Sequence, residues 1–142
     1  MTSVFIKGNV PSSKNSKINT RGGSFNSQTV QKYLRSFGIL SYSSSKKEVK
    51  TYKTIPMTFP VEELKELFKD RKYPIIIEFH FIRNSKRRWD FGNITQIILD
   101  LFTAFNIIED DSMDFVVPMP NKIDEKWYSY DKDEPGVIIT VL

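Results

Sequence analysis

"IIIEFHFIRNSKRRWDFGNITQIILDLFTAFNIIEDD", residues 75–111, joins a strand pattern to a helix pattern through a basic turn and closes on two acids. In a strand, successive side chains point to opposite faces. Around "YPIIIEFHFI" (73–82) this puts Ile75, Ile77, Phe79 and Phe81 on one apolar face, and Ile76, Glu78, His80 and Ile82 on the other. The first face belongs in a core. The second suits a half-exposed strand, with Glu78 and His80 either incidental or turned toward a site. Further on, Ile94, Ile97, Ile98, Leu101, Phe102 and Phe105 recur at helical spacing, a stripe that packs into a core. The opposite face carries Asn93, Gln96, Asp100 and Thr103. Gly92 and Asn93 are both acceptable N-caps for this helix, Asn being among the best.

Working outward, "SVFIKGNVP" (3–11) reads as a first strand ending near Gly8 and Pro11. "SSKNSKINTRGGSFNS" (12–27) is too polar to pack and reads as a loop, a ligand-contacting arm bearing Lys14, Lys17 and Arg21. "SQTVQKYLRSF" (27–37) opens on a helix start signal, Ser27, and sets Val30, Tyr33, Leu34 and Phe37 on one face. "SYSSSKKEVKTYK" (41–53) fits either a helix extension or a mobile loop. "PVEELKELFKD" (60–70) is a short amphipathic helix with Pro60 at or just before its start. "NIIEDDSMDFVVPMP" (106–120) turns into a strand near Met113 to Val117, and "GVIITVL" (136–142) is a closing strand. The expected fold class is α+β, a mixed β-sheet with packed helices in a single domain spanning 1–142.

The chain has 142 residues, 39% of them hydrophobic and 27% charged, as in a globular protein able to bury a real core. No apolar run is long enough to span a membrane, and the apolar stretch at the N-terminus is too short for a secretory signal. The absence of cysteine excludes disulfides, zinc–thiolate sites and thiol catalysis, and fits a cytoplasmic address. The net charge of +4 is unevenly spread. Residues 1–53 hold ten Lys or Arg against the single acid Glu48, or +9; the other eleven basic and sixteen acidic residues give −5. A basic half beside an acid-rich half suits a polyanion-binding surface next to a carboxylate site for cations. The same pattern also fits an unevenly charged solvated surface.

Mg²⁺ takes oxygen ligands and commonly uses one or two carboxylates plus phosphate oxygens. Asp90 lies just before the long helix, where free N–H groups and the helix dipole also welcome phosphate. Asp110 and Asp111 follow the helix, and in an extended segment only one of the pair faces a given side. Asp100 lies about 10 Å along the helix from Asn93, too far to share a metal with Asp90, and reads as a supporting residue.

These residues resemble the RusA family of Holliday junction resolvases, common in bacteria and phages. That family shows an arginine-rich lead, Asp-x-Asp-Asn, a helix with Lys and then Asp-Ala-Leu, and Asp-Asp after an apolar turn. The matching residues are "RRWDFGN" (87–93), "QIILDLF" (96–102) and "IIEDD" (107–111). "VPSSKN" (10–15) is similar to the family's Pro-Pro-Ser-x-Asn, and "IEFH" (77–80) to the strand before the motif.

The resemblance implies a mixed α/β domain that forms a homodimer and hydrolyses phosphodiesters with Mg²⁺, or Mn²⁺, making paired nicks across a four-way DNA junction. Asp90 resembles the family's first catalytic aspartate and Asp111 its last, both as metal ligands. Gly92 stands where the second catalytic aspartate is expected and Gln96 where a functional lysine is expected. Glu78, Glu109 or Asp110 are the nearby acids that could complete the metal set. Lys14, Lys17, Arg21, Lys86, Arg87 and Arg88 are the candidate DNA contacts, and Asn93, Gln96 and Asp100 are helix residues that support the metal site. Two other functions compete with a junction endonuclease. One is a branched-DNA-binding protein that does not cut, motivated by Gly92 and Gln96. The other is an interaction protein whose acids are merely solvated.

Overall fold

The structure, a computed structural model, describes residues 2–12, 17–20, 23–26 and 28–142, with 17–20 and 23–26 described as backbone only. The elements run β1 (Ser3–Lys7), β2 (Lys17–Thr20), β3 (Gly23–Asn26), α1 (Gln28–Ser36), β4 (Ile39–Ser43), β5 (Glu48–Thr51) and α2 (Val61–Phe68). They continue through β6 (Ile75–Arg83), α3 (Phe91–Ala104), β7 (Val116–Pro120), β8 (Ser129–Tyr130) and β9 (Gly136–Val141). The fold is α+β, and its main sheet is mixed. In order β1-β9-β6-β7, the first two pairings are antiparallel and β6–β7 is parallel. The short β8 continues the β7 edge, pairing in parallel with the end of β6.

Strand alternation decides what this sheet buries. Val4 pairs with Ile139 and Ile139 with Phe79; Ile6 pairs with Val137 and Val137 with Phe81. All six are buried, and each contributes roughly 1.5–3 kcal/mol by leaving water. The helices cover this face. Phe91 at the start of α3 meets Phe79 and Phe81 edge-on at 6.2 and 5.9 Å. Phe68 of α2 meets Phe102 of α3 at 5.5 Å. The other face carries the row Phe5, Ile138 and His80, and beside it Ser3, Thr140 and Glu78.

Gly136 makes the β1–β9 pairing possible, because any Cβ there would overlap the Phe5 ring and the Ile6 carbonyl. Gly38 ends α1. Its amide bonds to the Arg35 carbonyl at 2.9 Å, and its φ of 81° is left-handed, the conformation that lets a chain leave a helix sharply.

Three expectations from sequence change. Segment 12–27 contains the hairpin β2–β3 rather than an unstructured loop. Segment 41–53 is neither a helix extension nor a loop but part of the hairpin β4–β5. The strand expected near Met113 begins at Val116, because Phe115 and Val116 first bond back to the Ser112 carbonyl in a turn. No helix among the described residues is long and apolar enough to cross a membrane.

Candidate functional site

The site is organised by α3, whose direction is set by its buried stripe and whose start is set by Asp90. Asp90 has extended backbone angles, and its Oδ1 accepts from the Gly92 N–H at 2.8 Å and the Asn93 N–H at 3.4 Å. The N-cap is therefore Asp90 itself, not Gly92 or Asn93; a carboxylate there satisfies two orphan donors at the positive end of the helix. Gly92 lies within the helix with an ordinary backbone. A Cβ on it would meet Asp90 Oδ1 at 3.3 Å, so a side chain at this position stands beside the Asp90 carboxylate.

The turn leading into the helix is held from below. Arg83 ends β6 with its side chain buried, donates to the Val10 carbonyl, and lies with its guanidinium 5.5 Å from the centre of the Trp89 ring. Burial lowers the Arg83 pKa from its ordinary value, while nearby Tyr33 acts in the opposite direction. The Asn84 N–H donates to Asn9 Oδ1 at 3.0 Å. Above this anchor Arg88, Trp89 and Asp90 line a cleft of about 410 Å³ with Ser12. Lys86, Arg87 and Arg88 are all exposed.

The second acid arrives from the far end of the helix. Gln96 Nε2 donates to Asp100 Oδ1 at 2.8 Å and to Asp111 Oδ2 at 2.6 Å. Asp100 is one turn beyond Gln96 on the same face, so the amide sits between two carboxylates. Six residues separate Asp90 from Gln96, about 9 Å of helix axis, and helix side chains lean toward the N-terminus. Asp90 and Asp111 are thus tied to α3 at different points along it, Asp90 at its N-cap and Asp111 through Gln96, and they line separate clefts. Asp100 also faces β4. The Tyr42 hydroxyl is pushed well above its ordinary pKa by burial first, and then by the Asp100 charge.

Asp110 does not turn away from Asp111 as alternation predicts, because both lie in the irregular segment between α3 and β7 rather than in an extended strand. The Asp110 carboxyl is held below the usual range by the Asp111 backbone N–H first and then by the Ser112 hydroxyl. Together with Asp111, Ser44, Ser45 and Thr103 it lines a smaller crevice of about 170 Å³.

Glu78 is not gathered into the site. It projects from the sheet face opposite Phe79, and α3 packs on the Phe79 face, so the sheet separates Glu78 from Asp90. His80, on the same outer face, is buried. Its Nδ1 faces the Asn121 carbonyl at 2.8 Å and must donate, which leaves Nε2 to accept from the Ser129 hydroxyl at 2.6 Å. It pins both ends of the 121–129 segment and is neither incidental nor part of the acidic site.

Lys14 and Arg21 lie outside the described residues, and of Lys17 only its backbone place in β2 is described. Ser12, Trp89 and Tyr42 border the site without having been singled out from sequence. Trp89 alone had a visible signal, lying directly between Arg88 and Asp90.

Among the described residues, no three acids or histidines are grouped to hold a metal ion. Mg²⁺ can be held by two carboxylates completed by phosphate oxygens and water. Asp90 retains an oxygen beyond the one that caps the helix, whereas Asp111 would have to share its carboxylate with Gln96. The donor set fits a hard cation in chemistry but is incomplete as a protein cage. No family model, no curated protein and no solved structure matches this chain.

Proposed function

We propose that this protein is a RusA-like endodeoxyribonuclease that resolves Holliday junctions by Mg²⁺-dependent hydrolysis, in DNA recombination and repair. One observation carries the reading. Asp90 caps the start of α3 in a solvent-open cleft that Arg88 also lines, and Asp111 is held to the same helix by Gln96. Held there, Mg²⁺ or Mn²⁺ would polarise a phosphate and favour an attacking hydroxide. The chain's own residues would do the rest. Asp90 would offer its second oxygen to the cation, and Arg87 and Arg88 would neutralise the flanking backbone. Gln96 would orient Asp111. Paired nicks need two such sites related by two-fold symmetry, hence a homodimer.

Incubation of a labelled four-way junction with Mg²⁺ or Mn²⁺ tests this. Symmetric nicks are expected from the wild type and none from Asp90→Asn or Asp111→Asn, both of which keep or tighten junction binding. Wild-type cutting by either variant would remove that residue from the reaction.

The position of Gln96 favours a second reading. Its neutral amide bridges Asp100 and Asp111 at 2.8 and 2.6 Å, occupying the space a cationic group would fill between two acids. A protein that binds branched DNA without cutting it would give a metal-independent gel shift and no nicks.

A further inference from the structure

Away from the acids, the segment "KWYSY" (126–130) displays three aromatic rings on the surface: Trp127 is 58% exposed, and Tyr128 and Tyr130 are each 48% exposed. Their backbone is braced. His80 clamps Asn121 and Ser129, β8 pairs with β6, and Ile123 bridges Lys126 across a tight turn with positive φ at Asp124 and Glu125. The rings are thus presented from a fixed frame.

They line a groove of about 440 Å³ to which Lys86 and Lys126 also contribute, with no acid in its lining among the described residues. Lys86 Nζ lies 5.4 Å from the Tyr130 ring centre, and Lys122 Nζ lies 5.7 Å from that of Trp127. Exposed aromatic surface of this kind marks an interaction site, and the lysines say with what. Two copies meeting through this groove would bring Lys86 and Lys126 against like charges, a costly arrangement at an interface where lysine is ordinarily depleted. A polyanion with flat apolar groups satisfies both features. Bases stack on the rings while phosphates meet the ammonium groups.

We infer that the Trp127–Tyr128–Tyr130 groove is a stacking platform for unpaired nucleotides of a single strand. The platform adjoins the acidic site. Trp89, which lines the Asp90 cleft, packs its ring edge-on against Tyr128 at 5.0 Å. A strand stacked in the groove would pass its phosphates toward Asp90. The substrate class thereby becomes DNA with unpaired nucleotides at the branch. This extends the endonuclease reading, yet the binding itself does not require Asp90 or Asp111 to cut.

The test is a titration in EDTA, where hydrolysis is silent, with a short oligothymidylate and with a blunt duplex of equal length. Tryptophan emission should be quenched by the single strand. Fluorescence anisotropy of the labelled strand should show Trp127→Leu and Tyr130→Leu each weakening binding by roughly tenfold or more, with duplex binding unchanged. Lys86→Ala should flatten the salt dependence of single-strand binding, by about 0.7 in log–log slope for each phosphate it neutralises. These side chains are exposed, so melting should stay at the wild-type value; Tyr128→Ser serves as a further variant if one does not.

Equal affinity for strand and duplex would overturn the platform. So would variants that bind the single strand as well as wild type, or a Trp127→Leu protein whose mass in solution falls by half. Quenching by a protein that never nicks would leave the platform standing and sink the nuclease. Nicking without quenching would do the reverse.

Discussion

At Asp90 the demands of folding and of the proposed chemistry fall on one carboxylate. One oxygen caps α3, so truncation should cost stability whatever the function. Asn caps about as well as Asp, while Ala loses about 1 kcal/mol. Asp90→Ala should therefore lower the melting temperature by a few degrees and Asp90→Asn should not, although both should abolish the proposed cleavage. Equal melting losses would mean that charge, rather than the cap, stabilises the helix start.

Gly92 offers the complementary experiment. Its backbone is helical, and a new side chain would begin 3.3 Å from Asp90 Oδ1. Two carboxylates so close repel when no cation is shared. In EDTA, Gly92→Asp should melt below wild type. Mg²⁺ at about a hundred times its Kd should stabilise it by roughly 2.7 kcal/mol, with faster nicking. A variant indifferent to Mg²⁺ would show that position 92 does not face the metal.

Tyr33 is a third single-residue case. Its hydroxyl is buried with no hydrogen-bond partner among the described residues, and burial raises its pKa above the ordinary 10.0 despite the opposing charge of Arg83. Because the folded value is the higher one, its contribution is whole below pH 10.0 and lost as pH rises beyond it. Tyr33→Phe should add about 1 kcal/mol at neutral pH by removing an unpaired polar group. It should also shift the alkaline unfolding transition upward. Unfolding of both proteins at the same alkaline pH would show that Tyr33 is not the group responsible.

Among the elements, α1 and the β4–β5 hairpin depend on a single joint. Gly38 has a φ of 81°, and a Cβ there would lie 2.5 Å from the Pro56 carbonyl oxygen. Gly38→Ala must accept a left-handed backbone and displace a neighbouring strand of chain. A loss of about 2 kcal/mol or more is expected in urea unfolding, with the denaturant slope unchanged. The consequence would reach the acidic site, since β4 carries Tyr42 opposite Asp100. A loss below 0.5 kcal/mol, roughly the size of an ordinary surface change, would mean that the joint relaxes freely.

For the whole molecule, the endonuclease reading requires two copies. Light scattering at micromolar concentration should return a dimer mass, with or without junction DNA; a monomer under both conditions removes the basis for paired nicks. The basic N-terminal arm supplies a second global readout. Replacing Lys14, Lys17 and Arg21 together with Ala should reduce the log–log salt slope of junction binding by about 0.9 for each phosphate these side chains neutralise. An unchanged slope would leave Lys86, Arg87 and Arg88 as the principal grip.

Local periodicity was sufficient for β6 and α3. Their apolar faces repeat every second residue and every three to four residues, and burying those faces leaves few other conformations. The same logic made Asp90 and Asp111 legible as acids bracketing one helix. It could not distinguish the two sides of the sheet in space, which is why Glu78 read as a neighbour of Asp90 and lies across the sheet from it. Nor could it find the β2–β3 and β4–β5 hairpins, whose polar strands carry little alternation and are specified by pairing.

Two features belong to tertiary structure alone. Gln96 reaches Asp111 across fifteen residues, and His80 holds Ser129 across forty-nine. Spacing along a chain encodes which residues share a face. Which distant groups meet is decided when the loops between them close and the core beneath them packs.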